Sequence, residues 1–294
     1  MVDLIKRNKK LFVIFIIAII AAGFCFFLWR INLSEPELKE ELAEVENYFP
    51  KHKIIGQSVE GREIEAFIFG QGEKFLLFVG GIHGGYEWNS SLLAYEFIDY
   101  FNINSEIIPE NVSVAIIPCA NPDGLYKATG KEGRFILTDI PSGVSLDNYR
   151  FNANNVDLNR NFDCKWKPES TWRNKIVSAG TAPFSEPEAL VIRDFVLENN
   201  PLAVVFWHSQ ANAVYASECE NGVLPETLKI MRKYSLASGY PAIASFDAYE
   251  VTGDAEGWLA SIGIPALTVE LKTHEDIEWG KNLAGVKALL EYYK

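Results

Sequence analysis

Residues 80–89 read Gly80-Gly81-Ile82-His83-Gly84-Gly85-Tyr86-Glu87-Trp88-Asn89. They follow an apolar run at 75–79 that is typical of a buried strand, and they precede an apolar segment at 92–98 that is typical of a helix. A histidine and, four residues later, a glutamate thus stand where a strand gives way to a helix. Imidazole nitrogen and carboxylate oxygen both bind zinc, and a catalytic zinc takes three protein ligands and keeps one position open. We therefore predict that His83 and Glu87 belong to a zinc site.

The third ligand must come from elsewhere, and the chain has only four histidines. His208 ends another apolar, strand-like run, so we predict that it completes the zinc site with His83 and Glu87. The alternatives are that the two histidines lie in the core with satisfied hydrogen bonds, and that Glu87 only caps or packs. His52 and His274 have no comparable setting, and we expect both at the surface.

Strands and helices alternate along the rest of the chain. Strands are predicted at 53–69 (two, around a Glu60-Gly61 turn), 75–79, 112–118, 202–207 and 264–271, and helices at 92–98, 185–198, 224–237 and 282–293. The motif Asn121-Pro122-Asp123-Gly124 indicates a turn, and residues 125–156 indicate a long surface loop. The alternation predicts an α/β domain at 49–294, with a central mixed, mostly parallel sheet flanked by helices.

The first 48 residues differ in character from this domain. Residues 1–10 are polar and basic, and 11–29 form an uncharged, almost wholly apolar run of 19 residues, which is long enough to cross a bilayer. A secretory signal peptide has a shorter apolar core and a small-residue cleavage site, whereas here the run ends in bulky residues. We therefore predict a cytoplasmic tail at 1–10, a transmembrane anchor at 11–30 and a stalk at 31–48. The basic tail places the body outside the cytoplasm.

The composition limits the partners and the cross-links of the chain. The net charge is -12, and residues 1–30 contribute +4, so the rest carries -16, which argues against nucleic acid as a partner. Cys25 lies in the apolar run and leaves Cys119, Cys164 and Cys219 for the body. Three cysteines without CxxC spacing make at most one disulfide and no framework, and we expect mostly buried thiols.

Five motifs now stand in an order that resembles the zinc carboxypeptidase family, the carboxypeptidase A-like metallopeptidases, over about residues 50–290. They are Gly80-Gly81-Ile82-His83 with Glu87, Asn121-Pro122-Asp123-Gly124, Val156-Asp157-Leu158-Asn159-Arg160-Asn161-Phe162, Trp207-His208-Ser209 and Thr268-Val269-Glu270-Leu271. The family usually places two residues between its first histidine and its glutamate, and this chain places three. Two of the three are glycines, which can absorb the extra residue as a loop bulge.

The resemblance implies roles for three residues of the central motif. Asp157 matches the carboxylate that accepts a hydrogen bond from the first zinc-binding histidine and so orients its ring. Asn159 and Arg160 match the pair that holds the terminal carboxylate of the substrate. The planar guanidinium suits that task because it donates two parallel hydrogen bonds to a carboxylate.

Two further residues are implied for the chemical step. Arg150 resembles the arginine that polarises the scissile carbonyl and stabilises the oxyanion, with Arg134 as a rival in the same long loop. Glu270 resembles the general base that later returns its proton to the leaving amine. A carboxylate in an apolar strand is costly to bury without such a function, although Glu270 could instead face water at the end of the strand.

Three residues of a later segment are implied in substrate recognition. Tyr249 aligns with the mobile tyrosine that closes over the substrate. Glu256 falls where the family sets its preference for the C-terminal side chain, and Asp254 is close enough to act there too. An acid at this position would suit Lys, Arg or a diaminopimelate amine. The alternative for all three is a polar surface loop.

We therefore expect a membrane-anchored zinc metallocarboxypeptidase that hydrolyses the C-terminal bond of peptides outside the cytoplasm, with a preference for basic C-terminal residues. One alternative within the family is a peptidase that cuts peptidoglycan stem peptides beside diaminopimelate. Another alternative is a zinc-free, anchored binding module.

Overall fold

One mixed sheet of eight strands lies at the centre of residues 50–143 and 145–294, which the computed structural model describes. Its order is β1-β2-β4-β3-β7-β12-β8-β11, and two short hairpins, β5-β6 and β9-β10, lie outside it. The strands are β1 (Lys51–Gln57), β2 (Glu63–Gly70), β3 (Lys74–Val79), β4 (Val112–Ile117), β5 (Glu169–Trp172), β6 (Lys175–Ser178), β7 (Ala203–Ser209), β8 (Ala213–Ala216), β9 (Glu218–Cys219), β10 (Gly222–Val223), β11 (Ala242–Ile243) and β12 (Ala266–Leu271).

The four central strands, β4, β3, β7 and β12, run parallel to one another. Every residue of β4 and β7 is buried, as expected for strands covered by helices on both faces. Strands β1, β2 and β8 pair antiparallel towards the edges. The prediction of an α/β domain with a mixed, mostly parallel central sheet is confirmed.

Six helices cover the two faces of the sheet in this part of the chain. They are α1 (Trp88–Ile103), α2 (Pro122–Thr129), α3 (Pro187–Asn199), α4 (Pro225–Ser238), α5 (Ala255–Ser261) and α6 (Trp279–Tyr293). Side chains alternate across β3, so that Leu76 and Phe78 pack in a cluster with α1, α4 and α6. Leu77 and Val79 point to the opposite face and pack in a cluster with α3 and α5.

The segment after β4 departs from the predicted turn and surface loop. Asn121 caps α2, because its Oδ1 accepts the Gly124 N–H at 2.9 Å while Pro122 occupies the first turn. The remainder includes 3₁₀ turns at Leu137–Asp139 and Asp147–Tyr149, and the buried residues Arg150, Asn152 and Val156 lie near its end. The prediction of a surface loop over 125–156 is therefore wrong at both ends, since the chain there helps to build the interior.

A disulfide joins Cys164 to Cys219 across 55 residues of sequence, and Cys119 is a buried free thiol. The expectation of mostly buried thiols is wrong for the first two. A cross-link over a loop of this length is worth about 4 kcal/mol when it restricts only the unfolded chain.

The predicted tail at 1–10, anchor at 11–30 and stalk at 31–48 lie outside the described residues. No helix within the described residues combines the length and the apolar character needed to cross a membrane.

Candidate active site

The two predicted zinc-binding histidines meet at the carboxyl ends of neighbouring parallel strands. Strands β3 and β7 pair with Val79 opposite Phe206, so the chain beyond both residues emerges at the same edge of the sheet. His208 ends β7, and His83 lies in the turn that follows β3. Their ring centroids are 4.9 Å apart, and only 3% and 2% of His83 and His208 are exposed. In α/β sheets, such an edge is the usual place for a ligand.

The extra residue between His83 and Glu87 is taken up by a 3₁₀ turn at Gly84–Glu87. Gly84 has a φ of +49°, and a Cβ on it would lie 2.8 Å from the carbonyl oxygen of Tyr149. A side chain at this position would therefore be both strained and blocked.

The turn delivers the Glu87 carboxylate to the histidines. Its Oε2 lies 3.1 Å from Nδ1 of His208 and accepts the Ser209 N–H at 3.0 Å. One ligand atom from each of His83, Glu87 and His208 lies within 4.8 Å of the others. The structure thus brings the three predicted ligands together despite their unusual spacing.

The donor set fits a zinc ion. Two imidazoles and one carboxylate form a known type of catalytic zinc site. Nδ1 of His83 is buried without a hydrogen-bond partner, and the nearest oxygen of Asp157 is 3.5 Å away. Burial and the charge of Arg150 lower the pKa of His83 well below its usual value, which leaves the neutral imidazole that a metal requires. His83, Glu87 and His208 would hold the ion.

The second ring nitrogen of His208 faces another carboxylate. Nε2 lies 3.1 Å from Oε1 of Glu256, and the same oxygen accepts the hydroxyl of Thr268 at 3.0 Å. Burial alone would lower the pKa of His208, but the hydrogen bonds to Glu256 and Glu87 outweigh it and raise that pKa well above its usual value. Glu256 belongs to the first turn of α5 and is 3% exposed, so it is not in a surface loop.

Arg150 lies beside the metal ligands, whereas its rival Arg134 does not. The Arg150 side chain donates from Nε to Asp157 at 2.9 Å, and its Nη2 lies 2.9 Å from Nε2 of His83. Burial opposes its charge, but Asp157 and Glu87 more than compensate and raise the pKa of Arg150. Arg134 pairs with Asp99 and is half-exposed. Of the two candidates, only Arg150 has its guanidinium beside the predicted metal ligands.

Strand register places Glu270 at the same site. Strand β12 runs parallel to β7 with Glu270 directly opposite His208, so both side chains belong to one edge of the sheet. The carboxylate accepts the Ala211 N–H at 3.2 Å. Burial and the charge of Glu87 raise the pKa of Glu270 to about 7. A carboxyl group with this pKa is suited to general base catalysis near neutral pH.

Asn159 and Arg160, the pair predicted to bind the substrate carboxylate, already form hydrogen bonds within the protein. Oδ1 of Asn159 accepts the Ala255 N–H at 2.8 Å, and its Nδ2 lies 3.3 Å from Oε2 of Glu256. Arg160 donates from Nε and Nη2 to the carbonyl oxygen of Thr171 and from Nη1 to that of Asn159. A guanidinium has five N–H groups, so each terminal nitrogen of Arg160 keeps one for a substrate. The substrate role of the pair stays a prediction.

The remaining predicted residues lie along α5 and the segment before it. Tyr249 packs on Phe246 with ring centroids 4.9 Å apart. Asp254 caps α5 by accepting the Gly257 N–H at 2.7 Å, and burial and the charge of Glu256 raise the pKa of Asp254 to about 6. The predicted site residues line one cavity of about 470 Å³, with the exception of Asp157, which lies behind Arg150 and His83. The lining includes His83, Glu87, Arg150, Asn159, Arg160, His208, Tyr249, Asp254, Glu256 and Glu270.

Sequence reasoning missed two residues near the metal ligands. His274, expected at the surface, is partly buried, since its ring packs against Tyr86 at 4.5 Å and its Nδ1 lies 2.6 Å from Oγ of Ser209. Arg173, in the turn between β5 and β6, lines the cavity and donates to the hydroxyl of Tyr86 at 2.6 Å. The position of His274 just past β12 was the available signal. The expectation for His52 is confirmed, as it is exposed.

Comparison with known proteins identifies the family. The model of the zinc carboxypeptidase family, Peptidase_M14, matches residues 38–280. The chain belongs to the zinc carboxypeptidase family. It is a zinc metallopeptidase, and zinc is its cofactor, which replaces the alternative of a zinc-free binding module.

One curated relative and two solved structures of similar fold have different names. The chain is 26% identical to γ-D-glutamyl-L-diamino acid endopeptidase 1 of Lysinibacillus sphaericus over 280 residues, which cover 83% of this chain and 67% of that protein. Its fold is similar to that of bovine thrombin-activatable fibrinolysis inhibitor, with a TM-score of 0.65 and 19% identity over 87% of this chain and 96% of the other. It is also similar to murein-tripeptide amidase of Escherichia coli O157, with a TM-score of 0.55 and 22% identity over 82% and 92%.

Proposed function

We propose that this zinc metallopeptidase is a carboxypeptidase that removes the C-terminal residue from peptides outside the cytoplasm. The observation that carries the proposal is Arg160 in the wall of the cavity that also contains the three metal ligands. The two remaining terminal N–H groups of Arg160 can donate hydrogen bonds to the free carboxylate at the end of a peptide chain. A substrate held there would place its last peptide bond in the same cavity as Glu270 and Arg150.

The side chains around the metal ligands then have separate roles in the reaction. Bound zinc supplies a Lewis acid that polarises the scissile carbonyl and lowers the pKa of water. Glu270 accepts a proton from the attacking water and later returns it to the leaving amine. Arg150 donates hydrogen bonds to the developing oxyanion, where a buried charge is most effective. Each of these groups is held by neighbours before a substrate arrives, so little reorganisation is required.

Two features of the chain support this proposed location. The apolar run at 11–29 and the basic tail before it suit a single-pass anchor at 11–30 with a cytoplasmic N-terminus. The disulfide between Cys164 and Cys219 supports an oxidising compartment for the body, because such bonds are rare in the cytosol. Alkylation of accessible thiols in intact cells, with and without reductant, tests both points. Free thiols at 164 and 219 in protein from untreated cells would refute this location.

A second candidate is a peptidase of peptidoglycan stem peptides, directed to a diaminopimelate residue. Arg173 favours it, because its guanidinium lies at the cavity wall and donates to the neutral hydroxyl of Tyr86. A γ-linked glutamate keeps its α-carboxylate free, so a bond on its γ side presents an anion that Arg173 could bind. One relative carries this bond type in its name.

A panel of substrates separates the two candidates. The panel contains otherwise identical peptides ending in Lys, Arg or Phe, the same peptides with an amidated C-terminus, and a γ-D-glutamyl-diaminopimelate peptide, each with and without a chelator. A carboxypeptidase cleaves the free-acid peptides and spares the amides, and a preference for Lys or Arg supports the predicted acid Asp254. Cleavage of the γ-D-glutamyl peptide alone would refute the first proposal in favour of the second. Activity that survives chelation would refute both.

A further inference from the structure

Both oxygens of the Glu256 carboxylate contact protein groups. Its Oε1 lies 3.1 Å from Nε2 of His208 and accepts the hydroxyl of Thr268, and its Oε2 lies 3.3 Å from the amide nitrogen of Asn159. The residue is 3% exposed. A carboxylate that selects a basic side chain has to offer an oxygen to the incoming ammonium group. Glu256 instead directs both oxygens to neighbours in the protein.

The contact with His208 determines which ring nitrogen can bind a metal. Metal binding displaces the proton from the liganding nitrogen, so a metal-bound imidazole carries one N–H. The hydrogen bond made by this N–H fixes the role of the other nitrogen. When Nε2 donates its N–H to Glu256, Nδ1 holds the free lone pair. Nδ1 is the nitrogen that faces Glu87, at 3.1 Å from its Oε2. The tautomer that Glu256 selects is thus the one that the metal site needs.

We infer that Glu256 is a positioning residue for zinc binding: it accepts the Nε2–H of His208 and holds Nδ1 towards the ion. Carboxylates behind metal-binding histidines orient the ring and raise its basicity, and their loss typically weakens metal binding 10-fold to 100-fold. Glu256 has firm support for this task, because α5 carries its backbone and Thr268 holds the oxygen that faces the ring. Its contact with Asn159 links the metal ligand to the residues predicted to bind the substrate carboxylate.

Zinc affinity of the full chain tests the inference. The apparent Kd for zinc is measured by competition with a chromophoric chelator for the wild type and for Glu256→Gln, Glu256→Ala and Glu256→Asp. We expect a 10-fold to 100-fold weaker Kd for Glu256→Ala, a smaller loss for Glu256→Gln because its amide oxygen can still accept the N–H, and partial rescue by Glu256→Asp. The matched control is Glu250→Gln, since Glu250 lies six residues away in the same segment and pairs with Lys167 at the surface. Its zinc affinity should equal that of the wild type.

A second measurement distinguishes positioning from substrate selection. At saturating zinc, the ratio of kcat/KM for peptides ending in Lys and in Phe should be the same in Glu256→Gln and in the wild type. A wild-type zinc affinity in Glu256→Gln and Glu256→Ala would overturn the inference, and so would a changed ratio with unchanged affinity. If Glu256→Ala does not fold, Glu256→Gln decides alone, and an unchanged Kd in that variant refutes the role. The inference rests on the zinc site, so it stands or falls independently of whether the substrate is a peptide or a stem peptide.

Discussion

Replacing Glu270 with glutamine should abolish turnover and at the same time stabilise the metal-free protein. The amide cannot take the proton of the attacking water, and loss of a general base typically costs a factor of 10² to 10⁴ in rate. The amide oxygen can still accept the Ala211 N–H that Glu270 accepts at 3.2 Å. The local structure should therefore be kept, and zinc content should remain at the wild-type level because Glu270 is not one of the three predicted ligands.

The stabilisation follows from the raised pKa of Glu270. Burial and the nearby Glu87 raise it from the ordinary 4.5 to about 7. The folded protein then binds more protons than the unfolded chain between these values, so the free energy of unfolding falls as pH rises through this window. A shift of this size corresponds to about 3 kcal/mol at 1.36 kcal/mol per pKa unit. Because the side chain is only partly buried, solvent reduces this to about 1–2 kcal/mol.

Urea-induced unfolding of the metal-free wild type and Glu270→Gln measures this difference. At pH 8 the variant should be more stable by about 1–2 kcal/mol. At pH 4 the two proteins should be equal, because the Glu270 carboxyl is then largely protonated in both the folded and the unfolded wild type. Equal or lower stability of the variant at pH 8 would refute the raised pKa. Loss of zinc from the variant would show that Glu270 is a ligand or a scaffold residue instead of a base.

Four other expectations follow from the site and the fold. Chelation should remove activity, and zinc at 100 times its Kd should restore it and add about 2.7 kcal/mol to the free energy of unfolding in urea titrations. Arg173→Ala should lower kcat/KM about 10-fold for substrates with a carboxylate beside the scissile bond, and leave it unchanged for neutral ones. The double variant Cys164→Ser/Cys219→Ser should lose about 2–4 kcal/mol of stability in the same titration. The value of kcat/KM should rise with pH as Glu270 loses its proton. The midpoint should lie at or below about 7, because the charge of zinc favours the carboxylate. An unchanged pH profile in a slow Glu270→Gln variant would contradict this assignment.

The strands and helices of the core could be predicted from the sequence because buried elements require a local pattern of apolar residues. The apolar run at 75–79 became β3, and the run at 202–207 became most of β7, since strands covered on both faces must be continuously apolar. The helix at 224–237 became α4 within one residue at each end. The hairpin of β5 and β6 was missed, because each strand has only four residues and lacks a strong apolar period.

The predicted helix start at Ser185 shows that a tertiary contact can override a local signal in the sequence. The motif Ser185-Glu186-Pro187-Glu188 predicts a capping box, and α3 does begin at Pro187. The N-cap is Glu186, however, without a side-chain hydrogen bond to the helix. Ser185 bonds to Asn161 from a distant loop, at 3.0 Å. A tertiary contact thus replaced the local cap.

Some features of the site could likewise be predicted from motifs, whereas others depend on contacts made only in the fold. The motif order predicted His83, Glu87, His208 and Glu270 as site residues, and the parallel register of β12 and β7 brings the last two together. The pairing of Glu256 with His208 joins residues 48 apart in sequence, and no local pattern encodes it. The choice of Arg150 over Arg134 and the placement of His274 also required the folded chain.

The sequence by itself determined much of the secondary structure of the core, because buried strands and helices require local patterns of apolar residues. The order of its motifs indicated the family and the candidate metal ligands. Only the tertiary structure decided which side chains share the site, and what each of them contacts. Hydrogen bonds and charges act over a few ångströms in space regardless of separation along the chain. The orientation of His208 and the raised pKa of Glu270 are therefore properties of the assembled fold.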